Sequence, residues 1–261
     1  MLTVETPSPM ATAVAEPIVR VRDLKKRYGR KVALDGVSFD VAPGEIFGIL
    51  GPNGSGKSTT AECVAGLREA DSGDIRVLGI DPQARPDLLR ARVGIQFQES
   101  QLHDKITVHE ALSLFASFYE SPADVDALID ALDLHEKRDA RFKSLSGGQK
   151  QRVSIALALV GSPDVAILDE LTTGLDPQAR RTTWDVVRRV RDEGATVLLI
   201  THFMEEAERL CDRLVIIDHG RVIAEGSPRE LIASVPGALS LEDVFVSLTK
   251  RPSSALTRKA A

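Results

Sequence analysis

The chemistry of this sequence centres on Lys57 and Ser58. They sit near the end of the run Gly51, Pro52, Asn53, Gly54, Ser55, Gly56, Lys57, Ser58, Thr59. The run fits G-x-x-x-x-G-K-[ST] and lies between an apolar strand pattern, "EIFGIL", and a helix pattern. Glycines let successive backbone N–H groups turn toward phosphate oxygens, and the helix behind adds its positive N-terminal end. In that setting Lys57 is placed to reach the β and γ phosphates of a nucleoside triphosphate. Ser58 offers a hydroxyl to Mg²⁺. Such a loop needs a carboxylate at the end of a neighbouring strand, and "DVAILDE" supplies two. Asp169 is placed to hold Mg²⁺ through water, and Glu170 to polarise the attacking water as general base.

A second anion site follows from "LSGGQKQR", Leu145 to Arg152. Ser146 and Gln149 have the spacing of an S-x-x-Q capping box, so a helix begins at Ser146. Gly147 and Gly148 leave its first N–H groups uncovered. One chain with two phosphate sites suggests that two chains sandwich the nucleotide.

This string resembles the signature motif of ABC ATPases, and other motifs of that family appear in order. The resemblance implies that Tyr28 stacks on adenine. It implies that Gln98, in "IQFQES", senses Mg²⁺ and contacts a membrane subunit. "GLDP", Gly174 to Pro177, resembles the D-loop and brings Asp176 to the nucleotide. His202, in "LLITH", resembles the switch histidine that touches the γ phosphate. Lys57, Gln98, Glu170 and His202 then form the catalytic set. Ser58, Gln98 and Asp169 form the metal set. The resemblance covers about 18–235, with one departure: Leu171 stands where the family usually has proline, which would fix φ and stiffen that loop. "THFMEEAERLCDRLVIIDHGRVIAEGSP" and "LSLEDVFVSLTKR" are similar to the ATPases of drug, antibiotic and nodulation-factor exporters. The implied protein uses ATP and Mg²⁺ and works at the cytoplasmic face of the cell membrane. There it would power a separate membrane-spanning permease and pair with a second ABC subunit, as a homodimer or otherwise, when ATP binds.

Short apolar strands alternating with helices mean a mostly parallel α/β sheet. The expected fold is a P-loop NTPase core with an antiparallel β edge near 18–45 and an inserted helical subdomain at about 100–160. In that insert Thr107 and Glu110 fit a capping box, and Leu112, Phe115, Phe118 and Tyr119 share a helix face that is core or a docking surface. Residues 1–17 read as a disordered tail. The segment 236–261 reads as a solvated extension ending in Lys250, Arg251, Arg258 and Lys259.

Composition excludes other classes. A net charge of -5 gives no reason to expect nucleic-acid binding. Cys63 and Cys211 lie far apart, without metal-ligand spacing, and read as small buried hydrophobes of a reducing compartment. The longest apolar stretch, Val153 to Val160, is far short of the roughly 20 residues that span a bilayer, and the N-terminus does not read as a signal peptide. A soluble ABC ATPase acting on ribosomes or DNA would carry a second cassette or a long coiled coil. This chain shows one P-loop and no heptad run. Intact Lys57, Asp169, Glu170 and His202 argue against a relic binding module.

Overall fold

The computed structural model describes residues 16–96 and 102–249. Gln98, most of the N-terminal tail and the four terminal basic residues lie outside the described residues. In chain order come β1 (Val19–Tyr28), β2 (Lys31–Val41), β3 (Ile46–Leu50), α1 (Lys57–Val64), β4 (Ser72–Val77), α2 (Pro86–Leu89) and β5 (Val93–Gln96). The helical insert follows, with α3 (Val108–Ala116), α4 (Val125–Ala131) and α5 (Gly147–Leu159). Then come β6 (Val165–Asp169), α6 (Pro177–Asp192), β7 (Thr196–Thr201), α7 (Met204–Leu210), β8 (Arg213–Asp218), β9 (Arg221–Gly226), α8 (Pro228–Ser234) and α9 (Leu241–Thr249).

A short strand with no polar side chain has no face to offer water. β3 is buried throughout and bonds in parallel to β7 on one side and β8 on the other. The large sheet runs β5-β6-β7-β3-β8-β9, parallel except for the edge strand β9, which is antiparallel to β8. Alternation along β3 splits the core: Ile46 and Leu50 point into the side carrying the helical insert, while Phe47 and Ile49 point toward α1 and the small sheet. The small sheet is antiparallel, in the order β2-β1-β4. It is the β edge expected near 18–45, completed by β4.

The helical insert forms as expected, and its capping box closes with Glu110 N–H donating to Thr107 Oγ1 at 3.2 Å. The aromatic stripe does not hold as one helix face. Helix α3 ends at Ala116; the Ser117 hydroxyl donates to the Leu114 carbonyl at 2.7 Å and the next N–H groups reach back only three residues. Leu112 is buried, but Phe118 falls in the turn beyond and is 70% exposed.

The C-terminal segment also differs from expectation. Leu241, Val244, Phe245 and Leu248 repeat at helical spacing. In α9 the first two are fully buried against the main core. The Glu208 carboxylate accepts from Leu241 N–H at 3.3 Å. Basic residues at the end of the segment hid an amphipathic helix at its middle.

Both cysteines are buried, free thiols. Burial pushes the Cys63 thiol up to about 11 and Cys211 well above its ordinary value. Cys211 sits against Gly48 of β3, where an added Cβ would lie 2.7 Å from its sulfur.

Candidate nucleotide site

The loop between β3 and α1 is shaped by close approaches that exclude side chains. A Cβ on Gly51 would stand 2.2 Å from the Ile217 carbonyl oxygen, and one on Gly56 2.7 Å from the Ala33 carbonyl oxygen. Gly56, at φ 112°, precedes α1 and supplies no side-chain cap, so the first-turn N–H groups are left for a ligand. Lys57 is 5% exposed, and the hydrogen bond seen for its ammonium among the described residues goes to the Pro52 carbonyl at 3.1 Å. Burial pulls its pKa down, while Glu170 and Asp169 partly oppose the fall. A cation so poorly compensated favours an incoming anion.

Asp169 ends β6 and is almost fully buried. Its Oδ1 has no hydrogen-bond partner among the described residues. Burial pushes its pKa up to about 6; the Ser58 hydroxyl and Lys57 oppose the rise, and Glu170 adds to it. An orphaned carboxylate oxygen beside a hydroxyl fits Mg²⁺, which would relieve the cost of ionisation. The folded pKa lies above the unfolded value near 3.9, so without metal or nucleotide the folded state holds this proton more tightly. That contribution is fully present at low pH and is lost between pH ~4 and ~6 as the carboxylate ionises. At pH 8, Asp169→Asn should therefore stabilise the nucleotide-free protein by on the order of 2–3 kcal/mol. The gain should vanish by pH 4, and Mg²⁺-dependent hydrolysis should be lost. Denaturant unfolding at the two pH values checks this; a gain independent of pH would refute the assignment.

Glu170 follows Asp169 with a left-handed backbone, φ 51°. Its N–H donates to the Ile200 carbonyl at 2.9 Å. Strands β6 and β7 are parallel neighbours with Asp169 opposite Ile200, so Glu170 and His202 emerge side by side. Glu170 Oε1 lies 3.0 Å from His202 Nδ1. His202 Nε2 has no hydrogen bond among the described residues. The Phe203 ring centroid lies 4.1 Å from that of His202, and Arg180 of α6 lies over Phe203 at 5.1 Å. Glu170, Tyr28 and the loop residues Asn53, Gly54 and Gly56 to Thr59 border one cavity of about 310 Å³.

The Ser146 helix opens elsewhere. Ser146 Oγ accepts from Gln149 N–H at 3.3 Å and Gln149 Oε1 from Ser146 N–H at 3.0 Å, closing the expected box. Ser146, Gly147 and Gly148 line a cavity of about 400 Å³ with Gly174, Asp176 and Gln178. This second cavity shares no lining residue with the first. The side chains of Gln149 and Asp176 are taken up locally: Asp176 caps α6 by accepting from Gln178 and Ala179 N–H at 3.0 and 2.9 Å.

A family model described as ABC transporter matches residues 34–173. The chain belongs to the ABC transporter family. Nod factor export ATP-binding protein I of Paraburkholderia xenovorans (strain LB400) is 48% identical over 232 residues, which is 87% of this chain and 76% of that protein. Among solved structures, an ATP binding subunit of an ABC transporter superposes with TM-score 0.80 at 32% identity, covering 89% of this chain and 100% of that one. CbiO1 from Clostridium perfringens, part of the ABC transporter complex cbiONQ, gives TM-score 0.76 at 32% identity, covering 84% and 91%. This ABC transporter subunit binds and hydrolyses ATP.

In this ABC ATPase the loop after Glu170 is held without the family's proline. Leu171 is fully buried. The Thr172 hydroxyl donates to Glu206 Oε1 at 2.9 Å, and the Trp184 indole N–H donates to the same oxygen at 3.1 Å. Glu206 is itself fully buried, and its other oxygen has no partner among the described residues. It thereby ties the loop to α6 and α7. Neither Glu206 nor the Phe203–Arg180 stack was visible in the sequence, where they look like an ordinary acidic pair and surface residues. Glu206→Gln keeps an acceptor and should stay within about 1 kcal/mol of wild type. Glu206→Leu strands two buried donors and should fall about 2–3 kcal/mol below the Gln variant. Trp184, the sole tryptophan, reports both unfolding midpoints; equal midpoints would show that neither donor depends on Glu206.

Proposed function

We propose that this ATPase drives export of a small amphiphilic compound, of the drug or antibiotic kind, through a separate membrane-spanning permease. Two copies, or this chain and a related one, would close around two Mg·ATP. The observation that carries the pairing is the separation of the two anion cavities within one chain. The name of the Nod factor export relative supports the outward direction.

Tyr28 stacks on adenine, and Lys57, with backbone N–H groups that the loop between Gly51 and Thr59 leaves unpaired, holds the β and γ phosphates. Ser58 and Asp169 hold Mg²⁺, and the family resemblance adds Gln98 to this set; bound there, Mg²⁺ would neutralise charge that builds on the phosphate oxygens. Glu170 takes a proton from water, held in place by His202, whose Nε2 is left for the γ phosphate. Ser146, Gly147 and Gly148 of the facing copy donate backbone N–H groups to the same phosphate. Gln149 and Asp176 shape that helix start and the neighbouring wall. Hydrolysis removes the shared group and releases the pair.

The permease seat is proposed at the apolar groove bordered by Leu102, Phe115 and Tyr119. Exposed Leu114 and Phe118 lie nearby in the chain. None of the helices among the described residues is long and apolar enough to cross a membrane, so attachment to the cytoplasmic face is assigned to this partner. Co-expression with a multi-span permease encoded nearby should bring the chain into the membrane fraction, and Phe118→Asp should return it to the supernatant. Sedimentation with ribosomes or DNA would refute the transporter reading.

A further inference from the structure

The Tyr28 ring has no hydroxyl anchor. It closes β1 and is 42% exposed, and its OH makes no hydrogen bond among the described residues. Two cations lie over the ring. The Arg68 guanidinium carbon lies over it at 5.3 Å from the centroid, and Lys26 Nζ at 6.0 Å. Neither residue lines the cavity that Tyr28 borders. Each cation is fixed by its own carboxylate. Arg68 Nε is ion-paired with Glu62 of α1, and Lys26 Nζ with Asp71 Oδ1 at 2.8 Å. Asp71 in turn accepts from the Arg27 backbone N–H at 2.7 Å, which locks it to β1.

We infer that Arg68, held by Glu62, is a positioning residue for the nucleotide base: it backs the Tyr28 ring and presents the opposite face for stacking. The inference rests on the proposed adenine contact of Tyr28. Two physical effects act together. A cation on one face of an aromatic ring is attracted by the ring's quadrupole and restricts its swing. It also draws electron density from the ring, which lowers repulsion against an electron-rich purine on the other face. The planar guanidinium suits this better than an ammonium, because it stacks on the ring while still donating to Glu62. The placement of Glu62 adds a further consequence. It stands on α1, which also begins with Lys57 and Ser58. One helix therefore meets the phosphates at its start and sets the base platform near its end, fixing the span between them.

The test uses the full chain, with ATP and inorganic tripolyphosphate as probes; the second has phosphates and no base. Arg68→Met keeps the aliphatic stem and should raise the ATP Kd and KM about 2- to 5-fold, with kcat unchanged. Tripolyphosphate binding should not change. Glu62→Gln should move ATP in the same direction, and Arg68→Lys should rescue only in part. In a Tyr28→Ala background, Arg68→Met should have no further effect. If Tyr28→Ala weakens ATP binding and neither Arg68→Met nor Glu62→Gln does, the ring needs no backing and this inference fails while the stacking reading stands. If Tyr28→Ala leaves ATP affinity unchanged, the stacking reading fails and takes the inference with it. Equal losses for ATP and tripolyphosphate would place Arg68 on the phosphates instead, which also overturns it.

Discussion

Replacing Glu170 by glutamine should lower steady-state ATP turnover about 10²- to 10⁴-fold while leaving ATP bound. Among the described residues that line the cavity, Glu170 carries the one carboxylate. Its backbone is fixed by the bond to Ile200, and its side chain by His202 Nδ1 at 3.0 Å. Glutamine matches its size and can still bond His202, so the site should keep its shape and lose only its base. With hydrolysis blocked, the γ phosphate persists and the paired state should accumulate. Size-exclusion chromatography of Glu170→Gln with Mg·ATP should show a dimer that wild type shows weakly or not at all. Near-normal turnover by this variant would remove Glu170 from the base role.

The second large effect concerns the shared site. Ser146→Arg places a bulky side chain where a phosphate should approach, and losing one preorganised contact of this kind costs roughly 10²–10³ in rate. Lys57→Ala should likewise disable the phosphate loop of its own chain. Mixed together, with the permease if pairing needs it, the two inactive variants form dimers in which one site has both parts intact and the other has both damaged. If sites fire singly, ATPase activity should partly return on mixing. If they must fire together, mixing restores nothing, and a cross-link decides. Ser55 is buried, so exposed Asn53 is the better loop position. On the facing helix an added Cβ at Gly147 meets nothing within 4 Å. Asn53→Cys and Gly147→Cys, in a Glu170→Gln background, should join two chains when ATP is present and not otherwise. No rescue and no ATP-dependent link would mean a site that works within one chain.

What was legible in the sequence was what is local in the sequence. Gly51 to Thr59 and Ser146 to Gln149 each carry their geometry in adjacent residues, and both capping boxes formed as spaced. Glu170 and His202 lie 32 residues apart. Their meeting depends on β6 and β7 being neighbours, and no residue pattern states strand order; family resemblance suggested both residues, but not their bond. Strand β4 was missed because "SGDIRV" is short and half polar. Phe118 was misplaced because periodicity does not show where a helix stops. Glu206 and Arg68 gave no signal because each owes its place to partners on separate elements.

The two buried thiols have a practical consequence for labelling chemistry. Maleimides and disulfide reagents attack the thiolate, so reaction rate follows the ionised fraction and access. With its pKa pushed up to about 11, Cys63 is ionised at pH 7 to roughly one part in ten thousand, against a few per cent for a free thiol. Cys211 is raised as well and is fully enclosed. An engineered surface cysteine should therefore label hundreds of times faster than Cys63, and faster than the enclosed Cys211. The wild-type chain can serve directly as the background for cross-linking, spin labels or fluorophores, and neither native cysteine needs to be replaced.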